Sequence, residues 1–263
     1  MSDFVLTSEN YYTQEASLAY MSCSQWKSFR KCEDMALAEI AGDYERPEST
    51  ALLVGSYVDS HFEGTLDIFK AQHPQIFKKD GSLKSEYAQA EEIINRIEKD
   101  PLFTKYMSGD KQVIMTGYIA TVPFKIKMDS YHPGKAIVDL KIVRDFLPMW
   151  SPEEHAKVPF VEFWGYDFQG AIYQEIVRQN IDKQLPFFIA AATKEPVTDI
   201  EVMQIPQERL DYCLDIVRET APRYNALKLG KLEDPVRCCT CDWCKMTKLL
   251  STPIDYRDLN VAG

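Results

Sequence analysis

The chain has 263 residues, 45% of them hydrophobic and 27% charged, proportions that exclude wholesale disorder. Asp and Glu outnumber Lys and Arg by 40 to 30, a net charge of −10, which excludes a basic coat that grips nucleic acid along its whole surface. No apolar run approaches the ~18 residues of a membrane helix, and Met1 to Asn10 has no signal-peptide pattern, so a cytoplasmic location is expected.

In chain order, Ser24 to Ala41 has helical spacing of Trp26, Phe29, Met35, Leu37 and Ile40. Ala51 to Phe62 follows as a second helix, and Ser82 to Lys99 as a third, amphipathic one. After Asp110 the period falls to two. Gln112–Ala120, Phe124–Asp129 and Ala136–Val143 read as strands, the last two joined by a turn over Ser130–Lys135 that carries a Pro-Gly pair. One helix over Pro159–Gln179, strands over Pro186–Ala192 and Asp199–Ile205, and a closing helix over Gln207–Leu229 complete the pattern. The prediction is an α/β fold, a central mixed sheet flanked by helices. No Pro/Gly/Ser-rich linker interrupts it, so one domain is expected over 1–263, with a helical part (1–110), an α/β core (111–230) and a Cys-rich segment (231–263).

Strand alternation sorts the side chains. Phe124, Ile126 and Met128 share one face, and Lys125, Lys127 and Asp129 the other. Ala136, Val138, Leu140 and Ile142 oppose Ile137, Asp139, Lys141 and Val143. Asp139 and Lys141 therefore share a face, and a tight antiparallel connection brings Asp129 beside them. Two carboxylates and a lysine on adjacent strands suit a divalent cation at a scissile phosphate. A solvated Lys–Asp ion pair is the plain alternative.

The order Asp129, then Asp139-Leu-Lys141, then a helix resembles the PD-(D/E)xK nuclease core, although Met128 stands where the family name has proline. Gln169-x-x-x-Tyr173, on one helical face, is similar to the element by which the RecB-like branch positions DNA. His61, on the helix ahead of the sheet, matches a metal-ligand histidine of that branch. Stretches such as Ala51–Tyr57, Trp164–Tyr173 and Leu185–Lys194 look like RecE-type (exonuclease VIII) phage and prophage exonucleases.

The resemblance implies a Mg²⁺-dependent exonuclease on double-stranded DNA ends, working 5′→3′ and leaving 3′ tails for single-strand annealing. One or two Mg²⁺ ions, with Mn²⁺ able to substitute, would be held by His61, Asp129, Asp139 and the Leu140 carbonyl. Lys141 would act on the attacking water or the transition state, and Gln169 and Tyr173 on the substrate strand. It further implies a RecT-like recombinase partner, a ring-shaped homo-oligomer and a bacterial host cytoplasm. The rivals are a structure-specific endonuclease on the same core and a non-catalytic DNA-end-binding recombination partner. Trp150, Trp164 and Tyr166 could stack on bases, although packing against the sheet is the expectation for Trp164.

Seven cysteines without an export signal suggest a reducing compartment. Cys23, Cys32 and Cys213 are scattered, whereas Cys238, Cys239, Cys241 and Cys244 fall within seven residues, the spacing of a metal or cofactor site. Cys238, Cys241 and Cys244 need a fourth ligand, for which Cys32 is the candidate. The arrangement is similar to RecB-like nucleases that pin their termini with a [4Fe–4S] cluster. Zinc suits four cysteines equally, and four reduced thiols without metal are the plain alternative. Charge is also uneven: Arg218 to Lys248 carries +3 within an acidic chain, so the field at a phosphate is expected to be local, with Lys125, Lys127 and Lys141 beside the carboxylates.

Overall fold

The computed structural model describes residues 4–47 and 49–258. Seven helices come first: α1 (Gln14–Ala19), α2 (Cys23–Lys31), α3 (Glu33–Ala41), α4 (Thr50–Glu63), α5 (Leu66–Gln72), α6 (Ser85–Glu98) and α7 (Pro101–Tyr106). Strands β1 (Val113–Ile119), β2 (Val122–Met128), β3 (Ser130–His132), β4 (Ala136–Val143), β5 (Met149–Ser151) and β6 (Ala156–Val158) follow. Then come α8 (Phe160–Phe163), α9 (Tyr166–Ile181), β7 (Phe187–Thr193), β8 (Ile200–Gln204), α10 (Gln207–Lys228) and α11 (Asp242–Met246). Among the described residues, no helix is long and apolar enough to cross a membrane.

The chain condenses into two compact units. One comprises 1–46, 116–125 and 216–263, the other 47–115 and 126–215. The second holds a mixed sheet in the order β3-β4-β7-β8. β3 and β4 are antiparallel, β4 and β7 parallel with Asp139 opposite Ile189, and β7 and β8 antiparallel. Val138, Leu140, Ala190 and Ala192 turn to one face, where they form a core with Val54, Tyr57 and Val58 of α4 and Ile93, Ile94 and Ile97 of α6. Ile137, Asp139, Phe187 and Ile189 turn to the other, as the period of two requires.

In the first unit, Trp26 and Phe29 of α2 pack on Tyr224, the Phe29 ring stacked on it at 5.3 Å. Met21 bridges Phe124 as an isolated parallel pair. Ala120 and Thr121, both left-handed (φ 46° and 68°), turn the chain between β1 and β2, the conformation of a type I′ hairpin turn without its usual glycine.

Several predicted elements differ. The helix expected over Ser24–Ala41 breaks at Cys32, whose backbone is extended (φ −165°, ψ 112°) and caps both α2 and α3. The helix expected over Pro159–Gln179 breaks at Gly165, left-handed at φ 62°, ψ 38°, a conformation open to glycine without strain. The strand opposite β4 is not the one ending at Asp129. It is β3, three residues hidden in the expected turn, and Asp129 sits in the bend between β2 and β3.

Candidate active site

β4 is buried along most of its length, yet it carries Asp139 and Lys141 on one face. Asp139 is 2% exposed. Its Oδ1 accepts a hydrogen bond from Gln169 Nε2 at 2.5 Å, and its Oδ2 faces the Lys141 ammonium as an ion pair. That Oδ2 is buried, with the Lys141 ammonium as its partner. Asp129 reaches the same strand from the β2–β3 bend, its Oδ2 accepting the Leu140 N–H at 2.9 Å. In the parallel register Ala191 lies beside Lys141. The Lys141 Nζ also lies 5.0 Å from the centre of the Tyr166 ring.

Glycine sets how closely α9 approaches. A Cβ on Gly170 would lie 2.7 Å from Phe187 Cδ1 and 2.9 Å from Leu210 Cδ2, so only a bare backbone fits there. This places Gln169 over Asp139. It also lets the Tyr173 hydroxyl donate to the Lys127 carbonyl at 3.1 Å. Both side chains of the Gln-x-x-x-Tyr pair are therefore engaged inside the protein, one with a carboxylate and one with strand backbone. The first turn of α9 is fixed by Asp167, whose fully buried Oδ2 accepts from Arg209 Nε at 2.8 Å.

α4 sends Asp59, not His61, toward the carboxylates. Burial pushes the Asp59 carboxyl up to about 7; Lys141 opposes the rise, while Asp139 and Glu63 add to it. Burial likewise holds Asp129 well above the usual carboxylate range, with Asp139 and Asp59 reinforcing it against Lys141 and the Leu140 N–H. For Lys141 burial acts to lower the ammonium, but Asp139 and Asp129 outweigh it and the group stays protonated above the ordinary lysine range. The His61 ring is instead bonded through Nε2 to Glu98 Oε1 of α6 at 2.8 Å. Positions 59 and 61 stand ~200° apart around a helix, so they cannot both face one site. Asp59 is the residue that the sequence reading missed; the apolar stripe drew attention to His61.

Lys125, expected beside the carboxylates, is instead buried with its ammonium on the Tyr11 carbonyl and ring. Trp164 and Trp150 are 48% and 58% exposed, so Trp164 is not packed away as expected.

The thiols of Cys32, Cys238, Cys241 and Cys244 converge, all four Sγ atoms lying within 4.8 Å of one another. Among the described residues no other set of three or more His, Cys, Asp or Glu ligand atoms is gathered so tightly. Cys239 is exposed and outside the set.

The profile of a PDDEXK-like domain of unknown function (DUF3799) matches residues 22–247. The chain belongs to this PDDEXK-like family. A crystal structure from Eubacterium rectale, named “Putative exonuclease”, has the same fold at a TM-score of 0.93, with 50% identity over 98% of each chain. No curated protein matches the chain. The predicted fold class, a mixed sheet flanked by helices, is thus that of the PDDEXK-like domain, with β4, the β2–β3 bend and α9 supplying its polar centre.

Proposed function

We propose that this chain is a Mg²⁺-dependent exonuclease that acts at the ends of double-stranded DNA. It would remove the 5′-ended strand and leave a 3′ tail for recombination by single-strand annealing. The observation that carries the reading is the meeting of Asp139, paired with Lys141, and Asp129, bonded to the Leu140 N–H, on one stretch of β4, with Asp59 near enough to act on their charges, in a fold shared with a chain named as an exonuclease.

The donor set fits a hard divalent cation. Burial pushes the Asp59 carboxyl up to about 7 and Asp129 well above the usual carboxylate range, with Asp139 adding to the rise at both, and the buried Oδ2 of Asp139 has the Lys141 ammonium against it; a cation relieves all three. Asp59, Asp129 and Asp139, with the Leu140 carbonyl as a further donor, would hold Mg²⁺ or Mn²⁺. When bound, such an ion supplies positive charge for a phosphate and a water of lowered pKa.

The chain's own residues do the rest. Lys141, whose ammonium Asp139 and Asp129 favour, offsets charge that develops on the phosphate. Gln169 fixes the rotamer of Asp139 through its amide. Tyr173 ties α9 to β2 next to Asp129, so both are positioning residues for the carboxylates. Exposed Trp150 and Trp164 offer flat surfaces on which unpaired bases can stack. A RecT-like annealing protein would receive the tail, and a ring of copies would keep the enzyme on its strand.

The test is digestion of a duplex labelled at one 5′ or one 3′ end, with and without Mg²⁺, beside a covalently closed circle. Loss of the 5′ label as mononucleotides, only with Mg²⁺ and only on linear DNA, is the expected result. Cutting of the closed circle would assign an endonuclease instead, and binding without turnover a non-catalytic end-binding protein.

A further inference from the structure

We infer that Cys32, Cys238, Cys241 and Cys244 hold a single zinc ion in a tetrahedral tetrathiolate site, not an iron–sulfur cluster. Size separates the two. With Zn–S bonds of about 2.3 Å, the sulfurs of a tetrahedral site stand ~3.8 Å apart. Here Cys32 Sγ lies 3.6 Å from Cys244 Sγ, Cys238 Sγ lies 4.0 Å from Cys244 Sγ, and no pair exceeds 4.8 Å. In a [4Fe–4S] cluster each thiolate binds a different iron, at the outside corners of a cube that already contains four irons and four sulfides. Its cysteine sulfurs must therefore stand farther apart than any pair here. A disulfide needs sulfurs at ~2.05 Å, and all four cysteines are free.

Backbone amides point at three of the sulfurs. The N–H of Cys238 points at Cys32 Sγ (3.5 Å), that of Cys241 at Cys238 Sγ (3.3 Å) and that of Cys244 at Cys241 Sγ (3.4 Å). These donors stabilise negative sulfur, as backbone amides do around other anions. Four protein ligands leave no open coordination position, so the ion is structural and not catalytic.

Its task can be read from what flanks it. The segment over residues 231–241 has no helix or strand, and its hold on the start of α3 runs through three consecutive residues. Cys32 lies in the thiol set, Glu33 accepts the Val236 N–H and bonds Arg223, and Asp34 accepts from Arg237 and from Trp243 Nε1. The zinc closes this clamp. The inference does not depend on the nuclease reading, since the ligands and the carboxylates belong to different units.

The experiment is elemental analysis of the full chain purified without added metal, together with a Co²⁺ titration of the reduced, metal-stripped protein. One zinc per chain and a colourless sample are expected. Co²⁺ should give the intense visible bands of a tetrahedral tetrathiolate, erased by one equivalent of zinc. Cys32→Ser and Cys244→Ser should lose zinc and the cobalt bands, whereas Cys239→Ser and Asp139→Asn should keep both. If the cysteine variants fail to fold, the wild-type titration still decides. Iron with acid-labile sulfide would overturn the inference, as would a wild-type chain that neither holds zinc nor gives tetrathiolate cobalt bands.

Discussion

Gln169 donates its side-chain amide to Oδ1 of Asp139 at 2.5 Å, which leaves Oδ2 to Lys141. A hydrogen bond to a charged group contributes about 1.5–3 kcal/mol, so Gln169→Leu should slow strand cleavage by roughly 10- to 100-fold. Circular dichroism and the melting curve should change little. Unimpaired turnover in the leucine variant would remove Gln169 from the machinery.

Asp59 and His61 separate two accounts of α4. If Asp59 is the group that completes the carboxylate set, Asp59→Asn should cut Mg²⁺-dependent cleavage by about 100-fold or more, in the range of lost electrostatic stabilisation at a reacting centre. His61→Asn loses a bond to a half-exposed glutamate and should stay within about threefold, as exposed ion pairs contribute little. The opposite ranking, measured on one labelled duplex, would restore the histidine as ligand.

Gly170→Ala should be felt in both stability and activity. The added methyl meets Phe187 and Leu210 inside contact distance, and overpacking of this kind costs about 1–3 kcal/mol. For a protein of this size that lowers Tm by about 2–12 °C at ~2–4 °C per kcal/mol. Because α9 must back away, Gln169 loses its reach and cleavage should fall with it. A variant that melts normally would show that the helix has slack.

Two lysines of the other unit set a pH dependence of stability. Lys125 and Lys228 are 4% and 8% exposed, and among the described residues their ammonium groups bond carbonyl oxygens, of Tyr11, Ser17 and the Gln25 side chain. Burial lowers each to about 8, and Lys125 adds to the fall at Lys228. Between about pH 8 and the ordinary lysine value of ~10.4 the unfolded chain binds more protons than the folded one. Stability contributed by this pair therefore rises with pH through that window. The rise should be of order 1–3 kcal/mol in urea unfolding, and the double variant Lys125→Met/Lys228→Met should lose most of it. An equal slope in both proteins would mean that the ammonium groups are solvated.

What the sequence discloses depends on period and reach. β4 is predicted residue for residue, Ala136–Val143, because an apolar, β-branched run broken only by Asp139 and Lys141 follows directly on a Pro-Gly turn. Asp139 and Lys141 could be placed on one face by the alternation of a strand, whereas Asp129 reaches them from a bend. β3 was invisible because three residues cannot display a period and they lie within turn residues. The break at Gly165 was missed since helical spacing continues on either side of it. Asp59 escaped because a buried stripe tells which residues face the core, not which polar neighbour leans past its edge. Nor does composition mark the two units, since each is assembled from stretches far apart in the chain. C-x-x-C spacing marks three thiols. That Cys32 joins them, 212 residues before Cys244, is a tertiary fact.

That separation orders events in time. A ribosome adding ~5–20 residues per second needs roughly 10–40 s to travel from Cys32 to Cys244, and in that interval it makes all of 47–215. The stretches of the carboxylate-bearing unit are thus finished while Cys32 still waits for its three companions. Metal capture by the thiols becomes a late step, and a cell short of zinc would accumulate chains whose carboxylate-bearing stretches are complete while the 231–241 segment is not yet fastened to α3.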